Sequence, residues 1–173
     1  NISKMMEQGG SMGGPGSEQV AKAPLYLREN LIFPYMKGFS WVLKVKKAGG
    51  WNALTKAFTK ELPSSTEQIL HPEKYLGAEK DYPILIAMPD LTGTLGTDWT
   101  LLSTNRMGEL NTNLLFRTFF TNTSAKETSQ VSSGWGGDQY SVFEKKGKLL
   151  LVWFSTWDTE KDAREFLKAY TDF

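Results

Sequence analysis

The sequence predicts an α+β fold: an N-terminal helical hairpin, then a small, mainly antiparallel sheet with packed helices. Three observations predict it. Ile32, Tyr35, Met36, Phe39, Val42 and Leu43 recur at three- and four-residue steps, the period of one helix face. Residues 139–144 and 149–156 are strand-like runs on either side of Lys145-Lys146-Gly147-Lys148, a turn. Ala163, Phe166, Leu167 and Tyr170 then form a helical stripe, so a hairpin and a packed helix make one layer.

Each element has a local reason. Residues 9–16 hold six Gly or Pro in eight positions, and ordering such a backbone costs entropy, so 1–23 is expected to be a flexible segment. It lacks the Gly-Lys-Ser/Thr ending of a phosphate cradle. Pro24 suits the first turn of a helix. Pro34 should bend or split that helix, because it removes a backbone donor. Lys44, Lys46 and Lys47 suit its last turn, and Gly49-Gly50 should stop it. Trp51, Leu54 and Phe58 mark a second helix, giving the hairpin. Ser64 or Ser65 is the expected cap of a third, short helix, Ser65 having capping-box spacing with Gln68, and Pro72 ends that helix or starts the next turn.

The character changes near residue 81. Residues 83–89, an apolar run between prolines, predict a strand or extended segment. Residues 90–98 read as turns, 99–104 as a strand, and 107–120 as a helix with Leu110, Leu114, Leu115 and Phe119 on one face. Residues 121–137 read as a polar, Gly-rich loop with some helix. The run at 149–156 is apolar almost throughout, which predicts a strand covered on both faces. Asp158 is the expected cap of the last helix. The expected organisation is 1–23 flexible, 24–80 helical and 81–173 α+β, the last two forming one compact domain.

Composition narrows function. The 173 residues are 40% apolar and 13% aromatic, enough for a real core. Twenty basic and 19 acidic residues nearly cancel, so no global field attracts nucleic acid. With no cysteine, disulfides, thiolate nucleophiles and Cys-ligated metals are excluded. No apolar run reaches the ~20 residues of a membrane span. The chain opens on Asn1 without a visible signal peptide, and reads as a piece of a longer or processed protein.

Chemistry concentrates around the single histidine. A local zinc site would need His71 with two carboxylates, Glu67 and Glu73 being nearest in sequence; no His-Glu-x-x-His occurs. No Gly-x-Ser-x-Gly elbow accompanies His71, and no carboxylate pair is singled out for glycoside hydrolysis. No metal ligand is therefore assigned. His71 is read either as a hydrogen-bonded helix-end residue or as a group titrating in a site. Tyr35 and Tyr75 are phenols that either donate to a ligand or pack. Trp135, on a Gly-rich stretch, either contacts a ligand or plugs one end of the core.

Several words then follow in order: Phe33-Pro34-Tyr35-x-x-Gly38, Gly49-Gly50-Trp51, the unbroken run from Ser65 through His71-Pro72-Glu73-Lys74-Tyr75, Gly134-Trp135-Gly136-Gly137-Asp138-x-Tyr140, and Trp153-x-x-x-Trp157-Asp158. Over residues 24–170 the set resembles the downstream half of a family of poorly characterised bacterial proteins, often secreted or lipid-anchored. They look like zinc metallopeptidases of the His-Glu-x-x-His, glutamate-liganded kind. In that family the His-Glu-x-x-His helix and a Glu-Gly-Asp/Glu-Ala segment precede the part seen here. Neither occurs in this chain, and Glu7-Gln8-Gly9-Gly10 does not match the second. No ligand or general base carries over.

The resemblance implies an extracytoplasmic C-terminal region, inactive alone, with zinc held only by the full-length protein and a peptide or protein as substrate. Glu67, His71 and Tyr75 would face the cleft, with Tyr35 and Trp135 as further contacts. A non-catalytic surface or envelope binding module is the alternative. Oligomeric state is not specified by these residues.

Overall fold

The computed structural model describes residues 17–119 and 124–172. The chain divides at Leu62/Pro63 into two compact units. The division falls well before residue 81, where composition changes, so the segment from Pro63 through His71 belongs with the sheet.

In the first unit, helix α1 spans Ser17–Lys22 and α2 spans Leu25–Thr59. The expected flexible segment thus ends in a helix; residues 1–16 lie outside the described residues. Pro24 is the N-cap of α2. Pro34 is accommodated inside it, and the non-helical dihedrals fall at Gly49 and Gly50 instead. Gly50 has φ 66°, a conformation glycine adopts without a Cβ penalty. The helical run is thus broken where the glycines predicted. The buried residues flank that break, Trp41 and Val45 before it and Leu54 and Ala57 after it. Tyr35, Phe39 and Leu43 of the expected stripe are exposed. Lys46 lays its ammonium 4.1 Å from the Trp51 ring centroid, a cation–π contact across the break.

In the second unit, α3 (Thr66–Leu70) and α4 (Pro72–Leu76) lead to an irregular stretch and a one-turn α5 (Thr92–Leu95). Strand β1 (Thr100–Asn105), helices α6 (Gly108–Phe119) and α7 (Ala125–Ser132), strands β2 (Trp135–Lys145) and β3 (Lys148–Trp157), and helix α8 (Glu160–Thr171) follow. The sheet has three strands in the order β1-β2-β3, both pairs antiparallel. The register runs from Trp135↔Trp157 to Lys145↔Lys148. The turn residues Lys146 and Gly147 have φ 50° and 77°, as a two-residue hairpin of the right-handed sheet twist requires.

Residues 83–89 form no strand and carry no regular secondary structure. Ile84 N–H donates to Gly136 O at 2.7 Å, and a Cβ on Gly137 would run into the Ile84 backbone. Gly137 has φ 158°, which residues with a side chain rarely adopt, and the close approach of Ile84 adds a second demand for glycine there. Strand β3 is an edge, paired only with β2 among the described residues, and Leu149 is 70% exposed. The expectation of a strand covered on both faces is corrected: an apolar run signals burial only where a neighbour exists to supply it.

The core of this unit includes Leu110, Leu114, Phe116, Trp135, Phe143 and Phe166. On α6, Leu110 and Leu114 are buried as expected, but Phe116 replaces Phe119, which is exposed. Phe166 of α8 stacks on Trp157 at 4.5 Å and meets Phe116 edge-on at 5.6 Å, joining strand to helix. Leu167 and Tyr170 stay exposed. Thr159, not Asp158, caps α8, accepting from Asp162 N–H at 3.2 Å.

Asp138 ties these pieces together. Its buried carboxylate accepts from the backbone N–H groups of Met107 (2.7 Å) and Gly108 (2.9 Å) at the start of α6. It also accepts from the indole N–H groups of Trp135 and Trp153, each at 3.0 Å. Asp138→Ala strands four donors, the Trp135 indole N–H buried and the other three part-buried; a buried donor left unsatisfied costs about 1–3 kcal/mol, a part-buried one less. Urea unfolding is expected to show a loss of about 2–4 kcal/mol, with Asp138→Asn intermediate. A loss below ~1 kcal/mol for Asp138→Ala contradicts the hub.

Candidate functional site

Ser65 starts α3, its Oγ accepting from Gln68 N–H at 3.2 Å. Gln68 returns its side chain to Ser64 N–H at 2.8 Å and donates to Asp81 O at 2.5 Å. His71 then sits at the hinge between two short helices. It is the C-cap of α3, donating its N–H to Glu67 O, and the N-cap of α4, where Pro72 stands at N1 and loses no helical bond. No capping bond engages the ring, so it reaches across to α6.

There His71 Nε2 lies 2.8 Å from Glu109 Oε1. The histidine side chain is 29% exposed and the glutamate 3%. Glu109 occupies the first turn of α6, where the helix dipole favours an anion. Its other oxygen, Oε2, is buried without a hydrogen-bond partner among the described residues. On the open side, His71 Nδ1 is 3.7 Å from Glu73 Oε1. The hydrogen bond to Glu109 raises the His71 pKa above its ordinary value, against the effect of burial.

One turn further, Lys74 gathers three carboxylates. Its Nζ donates to Glu67 Oε1 at 2.6 Å, Asp158 Oδ2 at 2.5 Å and Asp81 Oδ2 at 2.9 Å. Burial opposes the Lys74 charge, but these three carboxylates outweigh it and raise its pKa. At Glu67 the balance tips the other way: burial pushes the carboxyl up to about 7 even with the ammonium beside it. The three acidic oxygens lie within 4.8 Å of one another, close enough to surround a cation. The cation they surround is the protein's own.

The sequence-predicted residues separate accordingly. Glu67 and Tyr75 are buried, so neither faces an open cleft; the Tyr75 ring takes Lys80 Nζ at 4.3 Å. His71 alone of the three is partly open. Trp135 is on a strand rather than a loop and 2% exposed, its N–H spent on Asp138, so it is the core plug and not a ligand contact. Tyr35 is exposed on α2, in the other unit. The set His71, Glu67 and Glu73 does not assemble as metal ligands, because Glu67 turns to Lys74 and His71 Nε2 to Glu109. Nor does the Glu67–Asp81–Asp158 trio fit zinc. It offers no nitrogen or sulfur ligand, and a charged ammonium fills its centre.

Sequence reasoning missed Lys74, Asp81, Glu109 and Asp158 as partners. The signal for Lys74 was its place only seven residues after Glu67, across the His71 hinge. Nothing in the spacing pointed to Asp158, which lies 84 residues away.

The second unit is a small α+β module in which an ion-paired helix–hinge–helix segment is fixed to a sheet-and-helix layer. Residues 100–173, from β1 through α8, are similar to a family described as a domain of unknown function (DUF8575). That stretch contains Glu109, Asp138 and Asp158 but not His71 or Lys74. No curated protein and no solved structure matches the chain.

Two outcomes are expected. Lys74→Met leaves three facing carboxylates without their cation and should cost ~3–5 kcal/mol in urea unfolding. Between pH 4.5 and about 7, native Glu67 holds a proton that the unfolded chain releases, so its contribution to stability declines as pH rises. The decline is at most roughly 3 kcal/mol. Glu67→Gln should flatten it, as read from unfolding midpoints across that window; an unchanged slope contradicts the assignment.

Proposed function

We propose that this chain is the non-catalytic C-terminal region of a bacterial, extracytoplasmic protein similar to zinc metallopeptidases, inactive on its own. The observation that carries the reading is the Lys74 ammonium inside the Glu67–Asp81–Asp158 trio. The carboxylates best grouped to hold a metal already hold an internal cation. The one histidine is turned to a buried glutamate. A water-activating centre needs a ligand set with an open position, and these residues spend their donors and acceptors on each other. Any hydrolytic power would come from polypeptide outside this sequence, as the ordered words shared with that family imply.

The words themselves support the reading through their local roles. The segment from Ser65 to Tyr75 is the ion-paired hinge, Trp135 and Asp138 form the hub, and Trp153 and Trp157 carry α8. These are roles in building a wall rather than in chemistry. On this reading the half-open His71–Glu73 rim is the part of the segment available to a peptide.

A second reading, a surface or envelope binding module, is favoured by the exposed apolar residues of the sheet edges, Leu101 and Leu102 on β1 and Leu149 and Leu151 on β3. Among the described residues no helix is long and apolar enough to cross a membrane.

The test compares this chain with the longer parent protein. Elemental analysis after dialysis should find no stoichiometric zinc in this chain, and an unstructured protein substrate should survive incubation with it. The parent should bind zinc and cleave. Zinc held by this chain and lost in Glu67→Gln overturns the proposal. A parent that binds no zinc and cleaves nothing favours the binding module.

A further inference from the structure

We infer that the α3–hinge–α4 segment is a proton-controlled latch: it closes on α6 when the His71 imidazolium faces the buried Glu109 carboxylate, and loosens when that proton leaves. The inference is independent of the proposed function.

The geometry begins with Glu109. It is 2% exposed, one oxygen pairs with His71 Nε2 at 2.8 Å, and the other has no hydrogen-bond partner among the described residues. A buried carboxylate so poorly supplied depends on the charge of its one partner. Protonated, His71 gives a charge-assisted hydrogen bond, and the pair is neutral. Deprotonated, it still offers one N–H, but the carboxylate's charge is left buried without a compensating cation. Breaking such a pair costs far more than breaking an exposed one.

The lowest-cost relief is water, and the hinge is where water can enter. His71 is partly exposed, caps two short helices, and has no ring-to-backbone bond to hold it. The segment also meets α6 through Leu110 N–H, which donates to Thr66 Oγ1 at 3.3 Å. The charged groups acting on the ring are Glu73 and Lys74 on α4 and Glu109 on α6. Glu109 and Glu73 favour the imidazolium, while Lys74 opposes it. Lys74 is itself held by Asp81 and Asp158 as well as Glu67. Those ties keep the far end of the segment fastened while the hinge end opens.

The sign follows from the direction of the shift. The folded state holds the His71 proton to higher pH than the unfolded chain, whose histidine titrates near 6.5. The latch is therefore fully closed below that value and is lost as pH rises through the folded midpoint.

Because His71 is the only histidine in 173 residues, its ring signals are unambiguous by NMR. The ring should titrate above ~6.5. Amide exchange, corrected for intrinsic rates, should lose protection at His71, whose N–H is bonded to Glu67 O, over the same pH range, while Gly77 at the fastened end and the amides paired between β2 and β3 hold theirs. Glu109→Gln should lower the ring midpoint and abolish the pH-dependent loss. If that variant fails to fold, His71→Gln, which keeps a neutral donor, should give protection independent of pH. Glu67 titrates nearby, so the measurement is repeated in Glu67→Gln, where the loss must persist. A ring midpoint at or below ~6.5 overturns the latch, as does protection that ignores pH or a loss that vanishes in Glu67→Gln alone.

Discussion

The buried carboxylate of Asp138 is the constraint on which the sheet unit depends. A charge of that kind cannot sit in a core unless donors converge on it, and here four do. Two come from the residue before α6 and from its first residue, Gly108, where amides have no internal partner, so the anion also completes a helix end. The other two are indoles from adjacent strands. One side chain thereby sets the angle at which a helix leaves the sheet and the depth at which two tryptophans are buried. Glu109, the second residue of α6, inherits its position from that anchor, and the histidine it faces inherits its orientation in turn.

The ion-paired hinge obeys a different balance. Around Lys74, three acids share one ammonium, and desolvation decides which of them keeps a proton. Glu67, the most deeply buried, does so most readily. The more exposed Asp81 and Asp158 can draw on solvent. Such a cluster is specific because each partner is placed by a different piece of backbone: α3, the stretch after α4, and the end of β3. It also explains why a dense polar run around a lone histidine need not be a catalytic centre. Groups that satisfy one another are unavailable to a substrate.

Much of the fold was legible because its causes are local. The two-residue turn at Lys146-Gly147, the Ser65 cap, the break at Gly49-Gly50 and the start of α4 at Pro72 each follow from what one or two residues permit. The errors share another cause. Leu149, Leu151 and Phe119 are apolar yet exposed, because burial depends on neighbours that periodicity does not reveal. Asp158 looked like a cap, but its carboxylate is drawn to Lys74 and the next residue takes the cap. In the site, His71 was legible as singular, whereas its partner lies 38 residues away on another helix. Long-range charge pairing leaves no trace in spacing.

The irregular stretch that crosses the start of β2 has its own consequence. It touches the strand through backbone at Ile84 and Gly136, with Gly137 lying bare beneath it, while the side chains of Tyr82, Ile84 and Leu85 point to solvent. Tolerance to change there is lopsided. The strap can exchange Tyr82, Ile84 and Leu85 with little penalty, because these three side chains are exposed. A single methyl added at position 137 would lift the strap off its seat, so the freedom of one segment rests on the emptiness of another.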